Sequence, residues 1–182
     1  MKKDSIVQFV CFITNLEPAD FIKKWEPVSR KLAADCESML QESITGKAKY
    51  KYILQHEGSA VDFRLSFMKN RSRESSPEHR ARLVHAGGYT PVQFQSLHSA
   101  IEDDVKVLAF IDHKETDVDL TFYHQQVYRY LNIYQAYYES CAYSYVLEFY
   151  IQQYDAPALI AQLKTRSGVE VSSYKESAVF HY

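Results

Sequence analysis

Arg64 and Asp62 are the first residues of this chain whose types and spacing suit chemistry. They lie in AVDFRLSFMK, residues 60–69. Strand alternation puts Val61, Phe63, Leu65 and Phe67 on one face and Asp62, Arg64 and Ser66 on the other. A guanidinium fixed on a strand offers directional donors to a carboxylate or phenolate oxygen, and Asp62 can order it. The bland alternative is a cross-strand ion pair on a wet sheet face. His124 is the second candidate. It interrupts an apolar stripe of Leu120, Val127 and Leu131 and stands four residues before Tyr128, so the two side chains approach on a helix. An imidazole there can act as base or donor near neutral pH. Arg64 and His124 are thus the candidate catalytic pair, with Asp62, His85, Tyr128 and Tyr145 as candidate ligand contacts.

The remaining polar groups carry less. His85 ends PEHRARLVHA, a predicted short helix closed by Gly87–Gly88, where a helix C-terminus favours an imidazolium. The same position suits a plain cap. Lys69, Arg71, Arg73, Arg80 and Arg82 form a basic run broken by Glu74 and Glu78, without the aromatic platform of a nucleic-acid site. Asp112 and His113 are neighbours on a strand end and point opposite ways, so they form no dyad. The acidic runs at 102–104 and 115–119 lack calcium-loop spacing. Cys11, Cys36 and Cys141 are widely spaced, which argues against a zinc clamp and for buried free thiols in a reducing cytoplasm. No metal and no cofactor is expected.

Tyrosine dominates the C-terminal half. Twelve of the 15 tyrosines follow position 122. A ring with a polar tip suits a wet pocket wall or a subunit seam. A pocket lined by Tyr128, Tyr134, Tyr138, Tyr143 and Tyr145 would take an aromatic or polyoxygenated ligand. A seam of the same residues would make a homodimer. The chain of 182 residues is 46% hydrophobic and 24% charged, with a net charge of -2, which reads as globular without attraction to nucleic acid or anionic membrane. The N-terminal apolar run is short and broken by Gln8, so it reads as a strand rather than a leader or a membrane span.

The elements that must position these groups come in two rounds. SIVQFVCFI at 5–13 reads as a strand. Phe21, Trp25, Val28, Leu32, Cys36 and Met39 recur three or four apart and predict a helix over 18–41. AKYKYILQHE at 48–57 and the 60–69 segment predict a hairpin, followed by the helix from Pro77 and a strand over 91–95. VKVLAFIDH at 105–113 restarts the pattern. A helical stripe over 118–139 follows, with a strand over 130–138 as the alternative reading of the same aromatic residues. YSYVLE at 143–148 echoes YKYILQ at 50–55, and Asp155 to Gly168 bounds a last helix before one or two closing strands.

On FVCFI with its helix, YKYILQHE, VDFRLSF, VLAFIDH, YSYVLEFYI and the last helix and strand, the chain resembles the ferredoxin-like α+β plait. More narrowly it resembles the dimeric α+β barrel superfamily, here as a possible fused tandem with units 1–98 and 99–182. The resemblance implies an α+β fold with antiparallel sheets flanked by helices. It also implies a spread of activities: cofactor-independent monooxygenases of polyketide-type aromatics, small isomerases, haem-binding and haem-degrading proteins, and stress-responsive barrels. No family's catalytic residues match position by position, and function does not follow from fold. The expectation is a cytoplasmic small-molecule-binding barrel, an oxygenase or isomerase acting on an aromatic or carboxylate-bearing compound without a cofactor. A noncatalytic oligomerisation module is the alternative.

Overall fold

The computed structural model describes residues 6–32, 37–44, 48–58, 82–96, 104–112, 130–137, 139, 141–166 and 168–181. Its strands are β1 (Ile6–Ile13), β2 (Glu37–Ser43), β3 (Tyr52–Gly58), β4 (Arg82–Ser96), β5 (Asp104–Asp112), β6 (Tyr130–Ala136), β7 (Tyr143–Gln152) and β8 (Val169–His181). Among the described residues the helices are α1 (Pro18–Leu32) and α2 (Ala156–Leu163). Hydrogen-bonded neighbours run β1-β3-β2-β8-β5-β7-β6-β4 in a closed barrel. The pairs β1–β3, β2–β3, β4–β6, β6–β7, β5–β7 and β5–β8 are antiparallel. This is the expected α+β architecture. The order β4-β1-β3-β2 is the ferredoxin-like order, and β8-β5-β7-β6 repeats it.

Contacts divide the chain into two compact units, one of Met1–Ser43, Lys49–Gly88 and Glu176–Tyr182, the other of Ile44–Ala48 and Tyr89–Lys175. In the first unit, Glu17 offers its carbonyl to the Phe21 amide at 2.9 Å and Pro18 opens α1. Phe21 and Trp25 then pack on Phe12 of β1, with ring centroids at 4.9 and 5.2 Å. Phe21 also stacks on Tyr52 of β3 at 4.2 Å. The Tyr52 hydroxyl donates to the Leu16 carbonyl at 2.8 Å, tying β3 to the turn before α1. Burial first, then the charges of Glu42, Glu17 and Asp20, holds that phenol above its ordinary pKa, so it stays a donor. Tyr52→Phe is expected to cost about 1 kcal/mol, read from urea melts, because the buried carbonyl loses its partner. A change below a few tenths would mean that water replaces the hydroxyl.

In the second unit, one face of the sheet is covered by α2. Val105, Val107, Ala109 and Ile111 of β5, Leu131 and Ile133 of β6, and Leu147, Phe149 and Ile151 of β7 pack with Leu159, Ile160 and Leu163 of the helix. Asp155 stands at the N-cap and accepts from the Leu159 amide through its carbonyl at 3.3 Å. Gly168, at φ 74°, makes the left-handed turn into β8 and accepts from the Asp112 amide at 2.8 Å.

Several expectations are corrected. The first helix stops at Leu32, and 37–43 is β2. Residues 130–136 are strand β6, so the strand alternative holds there and the helical stripe does not reach 139. The helix from Pro77 does not extend to 86, because β4 begins at Arg82. The 48–57 segment supplies β3, whose neighbours are β1 and β2, while its expected hairpin partner 60–69 lies outside the described residues. One physical cause explains the first two. Spacings of three and four also occur by chance in strands, and ladder pairing decides between the templates. The repeated tyrosine pattern fared better, since its two copies fall at the β3 and β7 positions of the repeated strand order.

Candidate functional site

The face of the second unit's sheet turned away from α2 holds a buried polar cluster. Residues that alternate with the α2-facing set define this face: Lys106, Leu108 and Phe110 of β5, Tyr130, Asn132 and Tyr134 of β6, and Val146, Glu148 and Tyr150 of β7. Lys106 is opposite Tyr150 and Leu108 opposite Glu148, so the lysine and the glutamate are diagonal neighbours. Their Nζ and Oε2 atoms are 3.0 Å apart. Both side chains are almost fully buried, at 7% and 2% exposure. Asn132 lies directly opposite Glu148 and donates Nδ2–H to Oε1 at 2.7 Å. The Tyr134 hydroxyl donates to the same oxygen at 3.3 Å. Lys106 also lies over the Tyr150 ring, 5.2 Å from its centroid, and Tyr150 meets Tyr130 edge to face at 5.9 Å.

Electrostatics keep this pair charged. Burial alone would lower the Lys106 pKa, but the Glu148 charge, Tyr150 and hydrogen bonds to both carry it above the ordinary lysine value. An ion pair this dry is costly to form, and a fully apolar set of similar volume often serves stability as well. A costly, buried pair set among polar partners marks the cluster as a candidate site. Lys106, Glu148 and Tyr134 form the buried end, while Tyr130, Asn132 and Tyr150 are partly exposed and form its accessible end.

The described cluster contains none of the sequence-predicted residues. Arg64, Asp62, His124 and Tyr128 lie outside the described residues. His85 lies within strand β4, so its helix-end setting is corrected. Tyr145 is on β7 but packs against the α2-covered core, on the face opposite to Glu148. Sequence reasoning missed Lys106 and Glu148. Their signal is a single charge inside each of two apolar strands, VKVLAF and YVLEFY.

Cys11 and Cys141 are buried thiols outside any disulfide, as expected. Among the described residues no group of three His, Cys, Asp or Glu side chains could hold a metal ion. The resemblance to barrels that bind haem calls for an accessible axial ligand. His56, the histidine with a described side chain, is fully buried on the face of β3 that carries Tyr52 and packs on α1. His56 therefore does not fit as an accessible axial ligand. No helix among them is long and apolar enough to cross a membrane.

Fold and cluster together define a ferredoxin-like α+β barrel with a buried ion pair on one sheet. Among solved structures the chain is similar to an anthrone oxidase-like protein, with TM-score 0.58 at 9% identity over 98% of this chain and 94% of that one. It is also similar to chlorite dismutase from Candidatus Nitrospira defluvii. Two variants of that protein match with TM-scores of 0.56 and 0.54, each at 7% identity over 96% of this chain and 92% of theirs. Identity this low establishes a shared fold and nothing finer. No family model and no curated protein matches the sequence.

Proposed function

We propose that this chain is a small-molecule-binding α+β barrel protein that takes a small aromatic, oxygen-bearing ligand against the Lys106–Glu148 face. The observation that carries the reading is the buried pair itself, 3.0 Å apart and surrounded by tyrosine and asparagine donors. Tyr130 and Tyr150 offer ring faces and edges to an aromatic body. Lys106 offers a fixed positive charge to an oxygen that becomes anionic, and Glu148 offers an acceptor for its proton. Oxygenases and isomerases that work without a cofactor share that first step, removal of a proton to give an enolate or phenolate. The fold similarity to a protein described as anthrone oxidase-like agrees with such chemistry. Arg64 and His124, with Asp62, Tyr128 and His85, are proposed separately as ligand contacts.

Mass spectrometry of material carried through purification tests the ligand. A hydroxylated aromatic compound is expected, released in lower yield by Lys106→Met. Calorimetry with that compound is expected to show a loss of about 1.5–3 kcal/mol for Lys106→Met, since a charge-assisted contact in a shielded site disappears. Arg64→Ala is expected to cost about 1–3 kcal/mol on the same scale. Unchanged affinity in a folded Lys106→Met protein would move the ligand off this face.

Assembly as a homodimer is proposed alongside. Tyr137 and Tyr154 are 53% and 89% exposed, and aromatic side chains in such settings favour subunit contacts. Sedimentation equilibrium over a concentration series is expected to show a dimer that Tyr154→Ser weakens. A persistent monomer would remove the seam.

A further inference from the structure

The charge balance on the Lys106–Glu148 face decides which ionisation state of a ligand it accepts. Lys106 is the described cation of that face in β5–β8, and Glu148 already neutralises it at 3.0 Å. Register adds two more carboxylates on the same side. Asp104 alternates with Lys106 along β5, and Glu170 lies opposite Phe110. The tyrosines on that side, Tyr130, Tyr134, Tyr150 and Tyr174, bring hydroxyl groups and no further cation. A ligand arriving as a carboxylate would bring one more negative charge to a single ammonium that is already shared. A ligand arriving as a neutral acid would bring none.

Resting on the proposed small-molecule site, we propose that this face selects ligands that arrive as neutral phenols or enols over those that arrive as carboxylates. Lys106 changes partner from Glu148 to the ligand oxygen as the proton moves. The step balances within the site. The ligand O–H bond breaks and its proton goes to a Glu148 oxygen, forming the carboxylic acid. The electron pair stays on the ligand oxygen, now a phenolate or enolate. Lys106 keeps its proton and pairs with that oxygen. One positive and one negative charge are present before and after, so no net charge is created in the dry interior, where creating one is costly. The Asn132 and Tyr134 donors hold Glu148 Oε1 in place and leave Oε2, the oxygen facing Lys106, as the one that changes partners.

The test compares 2-naphthol with 2-naphthoate, which share a ring system and differ in arriving charge. The full chain is titrated with each at pH 7 while the absorption band of the naphtholate is followed. Wild type is expected to bind naphthol about tenfold tighter than naphthoate and to develop the naphtholate band. Glu148→Gln is expected to abolish the band and to raise naphthoate affinity about tenfold, because Lys106 then meets no competing carboxylate. Should Glu148→Gln fail to fold, the neutral double variant Lys106→Met with Glu148→Met is measured. It is expected to bind naphthol without the band and to reject naphthoate. Equal or tighter naphthoate binding by wild type, or a band that persists without Glu148, overturns the selection rule and leaves the binding site standing. Binding of neither probe by wild type overturns the site reading and the selection rule together.

Discussion

Glu148→Ala is expected to destabilise the fold by about 3–5 kcal/mol, because it leaves the Lys106 ammonium buried without its counter-charge. The lysine is 6% exposed, so water does not reach it as a substitute. Asn132 and Tyr134 lose their shared acceptor at the same time. The double replacement Lys106→Met with Glu148→Met removes both charges at similar volume. It is expected to recover most of that loss, and a gain over wild type is compatible with the desolvation cost of the pair. Urea melts of the wild type, Lys106→Met, Glu148→Met and the double variant form a complete cycle, with Glu148→Ala measured beside it. A Glu148→Ala loss under 1 kcal/mol would show that the pair is solvated, and the candidate site would lose its physical basis.

Acid is expected to destabilise the first unit through His56. Burial lowers its pKa from the ordinary 6.5 to about 4, and its side chain is fully inaccessible in β3 opposite Gln8 of β1. Between those two values the unfolded chain binds a proton that the folded chain does not, so stability rises with pH through the window. The contribution is fully present above about pH 6.5 and is lost as pH falls towards 4, in all about 3 kcal/mol. His56→Leu removes the titrating group and is expected to flatten that part of the profile, even if it changes stability at pH 7. Denaturant melts at pH 7 and pH 4.5 on both proteins decide it. The same slope in the variant would assign the acid sensitivity to other groups.

The strands with long apolar runs were legible from residue types. IVQFVCFI, VKVLAF and YVLEFYI became β1, β5 and β7 where expected, and the repeated tyrosine pattern marks equivalent strands, β3 and β7. The covering helices were legible at their starts, where Pro18 and Asp155 stand. Their ends, and the nature of 37–43 and 130–136, were not, because Met39, Leu131 and Tyr134 fit a helical stripe as well as a strand. Only pairing with β3 and β7 removes that ambiguity, since backbone groups in a sheet are satisfied by residues distant in sequence. The site follows the same rule. Residue order pointed to an α+β chain with apolar core strands, but the lone charges inside two of them, Lys106 and Glu148, were not singled out. That Lys106 and Glu148 share a face, become diagonal neighbours and are shut away from water was decided by the β5–β7 register, because a slip of one residue would turn one of them to the opposite face.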